Sequence, residues 1–276
     1  MLPERGISTQ ILLLALSSAV LVIAGCAGRP AEDDAPGIVG TATVPPDPVV
    51  TQEPRSRYGN GPYYRVLGQR YEVMGSAAGY REQGVASWYG KKFHGKPTSS
   101  QEPYDMYAMT AAHKTLPLPS YVRVTNLRNN KSVVVRVNDR GPFVANRIID
   151  LSYAAALKLD MIRDGTSLVE VTVIEPSVTD AGQPTRTADL NDSEAPVPPA
   201  AIFVQAGAFG DVDNARRQFA KLRDGGVSPL LVHEDVEQSP ALYRVRIGPI
   251  ADVTQYDSVV EQLQRLGISE THLVTE

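Results

Sequence analysis

Between about Tyr58 and Ile174 the apolar positions recur mostly with period two. Gly84-Val85-Ala86-Ser87-Trp88-Tyr89 reads as a strand. Tyr121 to Leu127 alternates, Arg128-Asn129-Asn130-Lys131 carries turn residues, and Ser132 to Val137 alternates again, which predicts a hairpin. Ser152 is placed to cap a short helix ending near Leu159, favoured by Ala154, Ala155 and Ala156. Leu168 to Ile174 returns to alternation. Mostly strands with one or two short helices predict a small barrel. After Ala201 the period switches back and forth. Ile202–Phe209 is a strand, and Asp213–Leu222 a helix with Ala215, Phe219 and Leu222 on one face. Pro229–His233 and Leu242–Ile247 are strands, Thr254–Leu266 a helix with Val259, Val260, Leu263 and Leu266 inward, and His272-Leu273-Val274 a closing strand. The order βαββαβ predicts one sheet with both helices on a single face and the other face open. The fold class is mainly β followed by α+β.

The remaining stretches lack either period. Ile11 to Ile23 is apolar, the length of a signal-peptide core and too short to cross a bilayer. It ends in Ile23-Ala24-Gly25-Cys26, which resembles a bacterial lipobox. That resemblance implies a lipoprotein signal peptide over residues 1–25, a lipidated Cys26 whose several acyl chains suffice as an anchor, and a membrane partner. Ala27, where an Asp would imply inner-membrane retention, implies the periplasmic face of the outer membrane. Residues 26–57 and 175–200, rich in Pro, Ala, Asp and Thr, read as a disordered tether and a linker. Residues 58–83 form a lead-in whose Tyr63-Tyr64-Arg65-Val66-Leu67-Gly68 run suggests an added strand or hairpin. In 276 residues the net charge is −4, so the basic excess that a nucleic-acid partner calls for is missing. One cysteine excludes an internal disulfide and a thiolate metal cluster.

Residues 84–174 carry a set of motifs in order. These are Gly84-Val85-Ala86-Ser87-Trp88-Tyr89-Gly90, Phe93-His94-Gly95, Thr110-Ala111-Ala112-His113-Lys114-Thr115-Leu116-Pro117, Val137-Asn138-Asp139-Arg140-Gly141-Pro142-Phe143 and Ile149-Asp150-Leu151-Ser152. Together they resemble the rare lipoprotein A family. The resemblance implies a six-stranded double-psi β-barrel, related to barwin and expansins. It also implies lytic transglycosylase activity on the bond between N-acetylmuramic acid and N-acetylglucosamine, in peptide-stripped strands, leaving 1,6-anhydro ends. Such cleavage needs a proton donor to the leaving oxygen and stabilisation of an oxocarbenium-like centre, with the sugar's own C6 hydroxyl in place of water. Asp139 is the first candidate acid, at a strand end before the turn Gly141-Pro142, where partial burial would raise its pKa. Arg140 beside it is expected outward or on substrate. Glu102 is the second candidate, although the family's usual Asn-Gly before this Glu is here Ser100-Gln101, which implies a different turn. His113 is expected to hydrogen-bond one carboxylate or a sugar hydroxyl, and Tyr89 to line a sugar groove. No metal or other cofactor is called for.

Residues 201–276 resemble the sporulation-related repeat (SPOR) domain through Phe203-Val204-Gln205-Ala206-Gly207-Ala208-Phe209 and Tyr243-Arg244-Val245-Arg246-Ile247-Gly248-Pro249. The resemblance implies binding of denuded glycan strands, septal enrichment and division proteins as candidate partners. Strict alternation would send Ile202, Val204, Ala206 and Ala208 to the helices and Phe203, Gln205, Gly207 and Phe209 to the open face. Phe203, Gln205, Arg244 and Arg246 are then the sugar-reading candidates. Three activities compete: a septal transglycosylase, an inactive peptidoglycan-binding lipoprotein, and a hydrolase of another β-linked polysaccharide.

Overall fold

The computed structural model describes residues 45–176, 200–235 and 241–276. The signal-peptide and Cys26 expectations, and nearly all of the linker, lie outside these residues.

Six strands close into a barrel: β3 (Arg81–Tyr89), β4 (Thr110–His113), β5 (Ser120–Asn126), β6 (Ser132–Asp139), β7 (Arg147–Ser152) and β8 (Thr166–Val173), in the spatial order β3-β7-β4-β6-β5-β8. The pairs β3–β7 and β4–β6 run parallel and the other four antiparallel. Alternation explains the core: Val122, Val124, Val133, Val135, Val137, Ile149, Leu151, Val169 and Val171 all turn inward and are buried. A single turn and a half of helix, α1 (Tyr153–Lys158), plugs one end, and the Ser152 hydroxyl accepts from the Ala155 N–H as expected of its cap.

Two register shifts decide which polar residues face outward. Ala111 pairs with Val137 but Ala112 with Asp139, so Asn138 is one residue too many in β6. The extra residue turns Asp139 to the outer face, beside Ala112, where unbroken alternation after Val137 would have turned it inward. A matching shift skips Ile148 in β7 and sets Asp150 opposite Ser87.

The lead-in forms the hairpin β1 (Tyr63–Val66) and β2 (Gln69–Glu72). Tyr64 stacks on Tyr71 at 5.3 Å between ring centres, and both rings meet Phe143 in the loop after Asp139. The expected tether needs shortening. Residues 45–57 have no strand or helix but are fastened to the barrel. Asp47 accepts from the Val134 N–H at 3.0 Å and pairs with Lys158 at 2.7 Å, and Glu53 pairs with Arg136 at 2.7 Å.

The C-terminal unit has the expected order: β9 (Ile202–Phe209), α2 (Val212–Asp224), β10 (Leu230–Asp235), β11 (Leu242–Ile247), α3 (Val253–Arg265) and β12 (His272–Thr275), with the sheet order β10-β11-β9-β12. Asp211 and Asp252 cap the helices. Val204, Ala206, Val245 and Ile247 pack against Ala215, Leu222, Val260 and Leu263. One expectation fails here. A bulge between Val245 and Arg246 puts Gly207 opposite Val245 and Ala208 opposite Arg244. Beyond it Ala208 points to the open side and is exposed, whereas Phe209 packs on the apolar cluster. A Cβ at Gly207 would lie 2.8 Å from the Phe209 ring, so only glycine leaves that ring its place.

Candidate active site

The loop between β3 and β4 folds back over the end of β6. Pro97 bridges Pro103, the Thr98 N–H donates to the Glu102 carbonyl at 2.8 Å, and Gln101 closes the turn onto Thr98. Gln101 adopts φ +70°, the left-handed region that Gly favours, so Gln101 itself supplies the positive-φ position of this turn. The fold of the loop delivers Ser99 to Asp139.

Asp139 is half-buried at the rim. Its Oδ1 accepts from the Ser99 N–H at 2.8 Å, the Ser99 hydroxyl at 2.7 Å and the Arg140 N–H at 2.7 Å. Among the described residues Oδ2 takes no hydrogen bond. One oxygen is thus used for orientation and the other left for a reactant.

Glu102 lies on the same rim, one hydrogen bond away through Asn138. It holds Arg136 with both oxygens, at 2.7 and 3.0 Å, and accepts from the Asn138 amide at 2.8 Å. Burial pushes its pKa up, but the Arg136 and Asn138 hydrogen bonds and the arginine's charge outweigh that and leave it below the usual range. Glu102 is therefore a fixed carboxylate at neutral pH. Arg136 also grips Glu53 of the 45–57 segment at 2.7 and 2.8 Å, so a chain segment read as tether completes the site's charge network.

His113 does not meet either carboxyl. It is 2% exposed; its Nε2 bonds the Tyr80 hydroxyl at 2.8 Å, and its Nδ1 accepts from the Thr115 and Leu116 N–H groups. Burial, with help from Arg140 and Lys114, lowers its pKa to about 3, so the ring is neutral. It pins the turn after β4. Arg140 also departs from expectation. It points inward, donating to the carbonyls of Gly59, His113 and Leu116 at 2.6 to 3.2 Å. These acceptors come from segments distant in sequence, which the chain's local pattern does not reveal. Tyr89 keeps only partial exposure: Tyr104 stacks on one ring face at 4.1 Å and its hydroxyl is enclosed. Any sugar contact it makes is limited to its remaining edge.

Asp150 and Ser87, which sequence reasoning left unassigned, join this face. Asp150 is paired across the strands with Ser87 on one side and Ala112 on the other, and the Ser87 hydroxyl donates to its Oδ1. Burial raises its pKa, against the hydrogen bond from Ser87 and the charges of Arg147 and Lys114. The legible signal was a polar residue between inward-facing Ile149 and Leu151, which alternation alone sends outward. A cavity of about 580 Å³, lined in part by Arg81, Lys114, Arg147, Tyr256 and His272, opens nearby; neither Asp139 nor Glu102 lines it. Among the described residues no group of three His, Cys, Asp or Glu side chains is placed to hold a metal.

On the C-terminal sheet the expected reading face is already occupied. Arg244 pairs with Asp235 at 3.0 Å, and Arg246, 8% exposed, pairs with Glu276, which His233 also approaches at 3.0 Å. Phe203 is 6% exposed rather than open, its ring fitted against Gly248, where a Cβ would lie 2.8 Å away. Gln205 remains part-exposed. The arginines' partners lie far along the chain or on a neighbouring strand, where alternation gives no hint of them.

Comparison with known proteins agrees with both halves. A family described as "Lytic transglycolase" matches residues 81–171, and the SPOR domain family matches 198–273. A Vibrio cholerae protein named endolytic peptidoglycan transglycosylase RlpA is 38% identical over 261 residues, covering 93% of this chain and 94% of its own. The chain belongs to the RlpA family. The RlpA of Neisseria meningitidis serogroup A is 44% identical over 219 residues, 78% of this chain and 84% of the relative. The crystal structure of the RlpA SPOR domain from Pseudomonas aeruginosa is 27% identical, covers 26% of this chain and 96% of that one, and aligns with a TM-score of 0.25.

Proposed function

We propose that this RlpA-family chain is an endolytic peptidoglycan transglycosylase, cleaving between N-acetylmuramic acid and N-acetylglucosamine in peptide-stripped strands and leaving 1,6-anhydro ends. The observation that carries the reading is Asp139: a rim carboxyl held by three donors on one oxygen with the other unshared. Asp139 hands its proton to the bridging oxygen as that bond breaks. Glu102, kept ionised by Arg136 and Asn138, places negative charge beside the cation that develops at the anomeric carbon. His113 is a positioning residue: it holds the turn whose carbonyls hold Arg140, the residue next to Asp139. With Ser100-Gln101 in place of Asn-Gly, Gln101 still makes the turn and Glu102 still meets Arg136 and Asn138.

The C-terminal domain brings the barrel to denuded strands at the septum, and lipidation of Cys26 tethers it to the outer membrane. Support for the anchor is the run ending Ile23-Ala24-Gly25-Cys26. The test of the chemistry is amidase-treated peptidoglycan with product masses read out. Anhydro-muramyl ends are expected, and Asp139→Asn should abolish them. Reducing ends alone would point to a hydrolase, and binding without products to an inactive barrel; either overturns the proposal.

A further inference from the structure

We propose that Lys114 and Arg147 form a carboxylate subsite beside Asp139 that reads the free lactyl carboxylate of N-acetylmuramic acid, so that the barrel itself selects strands stripped of peptide. This assignment rests on the cleavage reaction above and names the feature of the strand that the site recognises.

The chemistry of the strand sets the requirement. Removing a stem peptide turns the lactyl amide of a muramic residue into a carboxylate. A stripped strand carries a negative charge at that arm, where a peptide-bearing strand has a neutral amide. A cation placed there distinguishes the two. The arm leaves C3 of the same ring whose C1 is cleaved, so its reader must stand within one ring's reach of the acid.

Strand geometry puts Lys114 there. Asp139 pairs with Ala112, and Ala112 with Asp150. Lys114 follows Ala112 by two residues, with the buried His113 between, so it returns to the face that carries Asp139. Its Cα stands roughly 7 Å further along that face. Its ammonium donates to the Arg147 carbonyl at 2.6 Å, and the Arg147 guanidinium donates at 2.9 Å to the Ser87 hydroxyl, which in turn holds Asp150. Both cations line the cavity of about 580 Å³, whose opposite wall comes from α3 and β12. That volume falls within the range of roughly 300–1,000 Å³ typical of small-molecule sites.

These two cations differ from their neighbours in having no counter-ion. Arg81, Arg128, Arg136 and Lys158 of the barrel all pair with carboxylates. Among the described residues Lys114 and Arg147 pair with none; their hydrogen bonds go to a carbonyl and a hydroxyl. The carboxylates that face Lys114 are Glu82 and Asp150, and these accept from the Tyr80 and Ser87 hydroxyls. Lys114 is half-buried, and burial lowers its hold on a proton against the pull of both carboxylates. A cation drawn out of water is destabilising until an anion meets it. An arriving carboxylate does so, accepting from the ammonium's remaining hydrogens and from the guanidinium fork.

The test uses the full chain and short, soluble, amidase-treated strands, half of them with the lactyl carboxyls converted to primary amides. That conversion removes the charge and adds no peptide. Wild type should form anhydro ends from the carboxylate strands with a kcat/KM about tenfold or more above that for the amidated ones, the difference lying mainly in KM. In Lys114→Gln/Arg147→Gln the ratio should fall to about one, because no charge is left to read the arm. Lys114→Arg keeps the charge and should keep most of the preference. Should the double variant fail to fold, Arg147→Gln alone should still lower the ratio several-fold. Loss of a purely structural hydrogen bond would slow cleavage of both strands alike and leave the ratio at its wild-type value, which overturns the proposal. Equal cleavage of both strands by wild type overturns it as well. Anhydro ends from neither strand would instead strike the cleavage reaction on which the subsite depends.

Discussion

At the scale of single residues, the site depends on groups whose chemistry is set by burial and hydrogen bonding. His113 has a folded-state pKa of about 3, below its ordinary value of 6.5. Above pH 6.5 the ring is neutral folded or unfolded and contributes no pH dependence. As pH falls below that, the unfolded chain binds a proton that the folded chain refuses, so stability declines. Between pH 6.5 and 5 the loss should be roughly 2 kcal/mol, at 1.36 kcal/mol per pH unit. Urea titrations at both pH values should show this difference, and His113→Asn should be less stable at pH 7 yet nearly free of it. If wild type and variant share the same slope, the ring is not held neutral. Gln101 makes a second case. Its φ of +70° costs an L-residue about 1–2 kcal/mol, partly offset because glycine gains more freedom when unfolded. Gln101→Gly should therefore stabilise the protein by about 0.5–1 kcal/mol with catalysis intact, as read by thermal melting and product assay. The rim position of Asp139 could be read from the sequence because a turn follows it directly. The inward course of Arg140 could not, because its acceptors, Gly59 and the His113–Leu116 turn, lie far from it along the chain.

At the scale of elements, alternation predicted most strands but neither β4 nor β7, and it failed where a bulge changed its phase. Val133, Val135 and Val137 alternate as read, and the extra Asn138 then reverses the direction of Asp139. The bulge at Gly207 reverses Ala208 and Phe209 in the same way. β4 escaped detection because Thr110-Ala111-Ala112-His113 has weak strand propensity and is held by its partners β6 and β7. The 45–57 segment was illegible for another reason. It carries no period at all, and its order comes from Asp47 on Val134 and Lys158 and from Glu53 on Arg136 and Tyr121. These partly buried contacts should stabilise the barrel by about 2–3 kcal/mol together. The double variant Asp47→Asn/Glu53→Gln should show that loss by chemical denaturation. Glu53 is also held below the usual carboxylate range, through its Arg136 hydrogen bond first. Its share of the stabilisation is thus present above about pH 4.5 and disappears as pH falls through its folded-state pKa. A double variant as stable as wild type at pH 7 would return this segment to the status of a tether.

At the scale of the whole molecule, cleavage and recognition are assigned to different sheets, so they should be separable by mutation. On the function proposed above, the C-terminal face would meet the glycan with arginines that already have carboxylate partners. A sugar hydroxyl or lactyl carboxylate must then either share Arg244 with Asp235 or displace it, and each side chain is only 20% exposed. That arrangement limits affinity while conferring selectivity, since a ligand lacking a suitable acceptor gains nothing for opening the pair. Gln205→Ala/Arg244→Ala should weaken co-sedimentation with denuded peptidoglycan about tenfold or more, one charge-assisted contact being worth about 1.4 kcal/mol. The same variant should cleave short soluble glycans at the wild-type rate, because Asp139, Glu102 and their partners all belong to the barrel or to the 45–57 segment. Asp235→Asn removes the competitor for Arg244 and should bind the insoluble glycan more tightly than wild type. If Asp235→Asn instead binds as weakly as the arginine variant, the pair serves to hold β10 to β11. The glycan would then be read by the strand edges, not by the guanidinium.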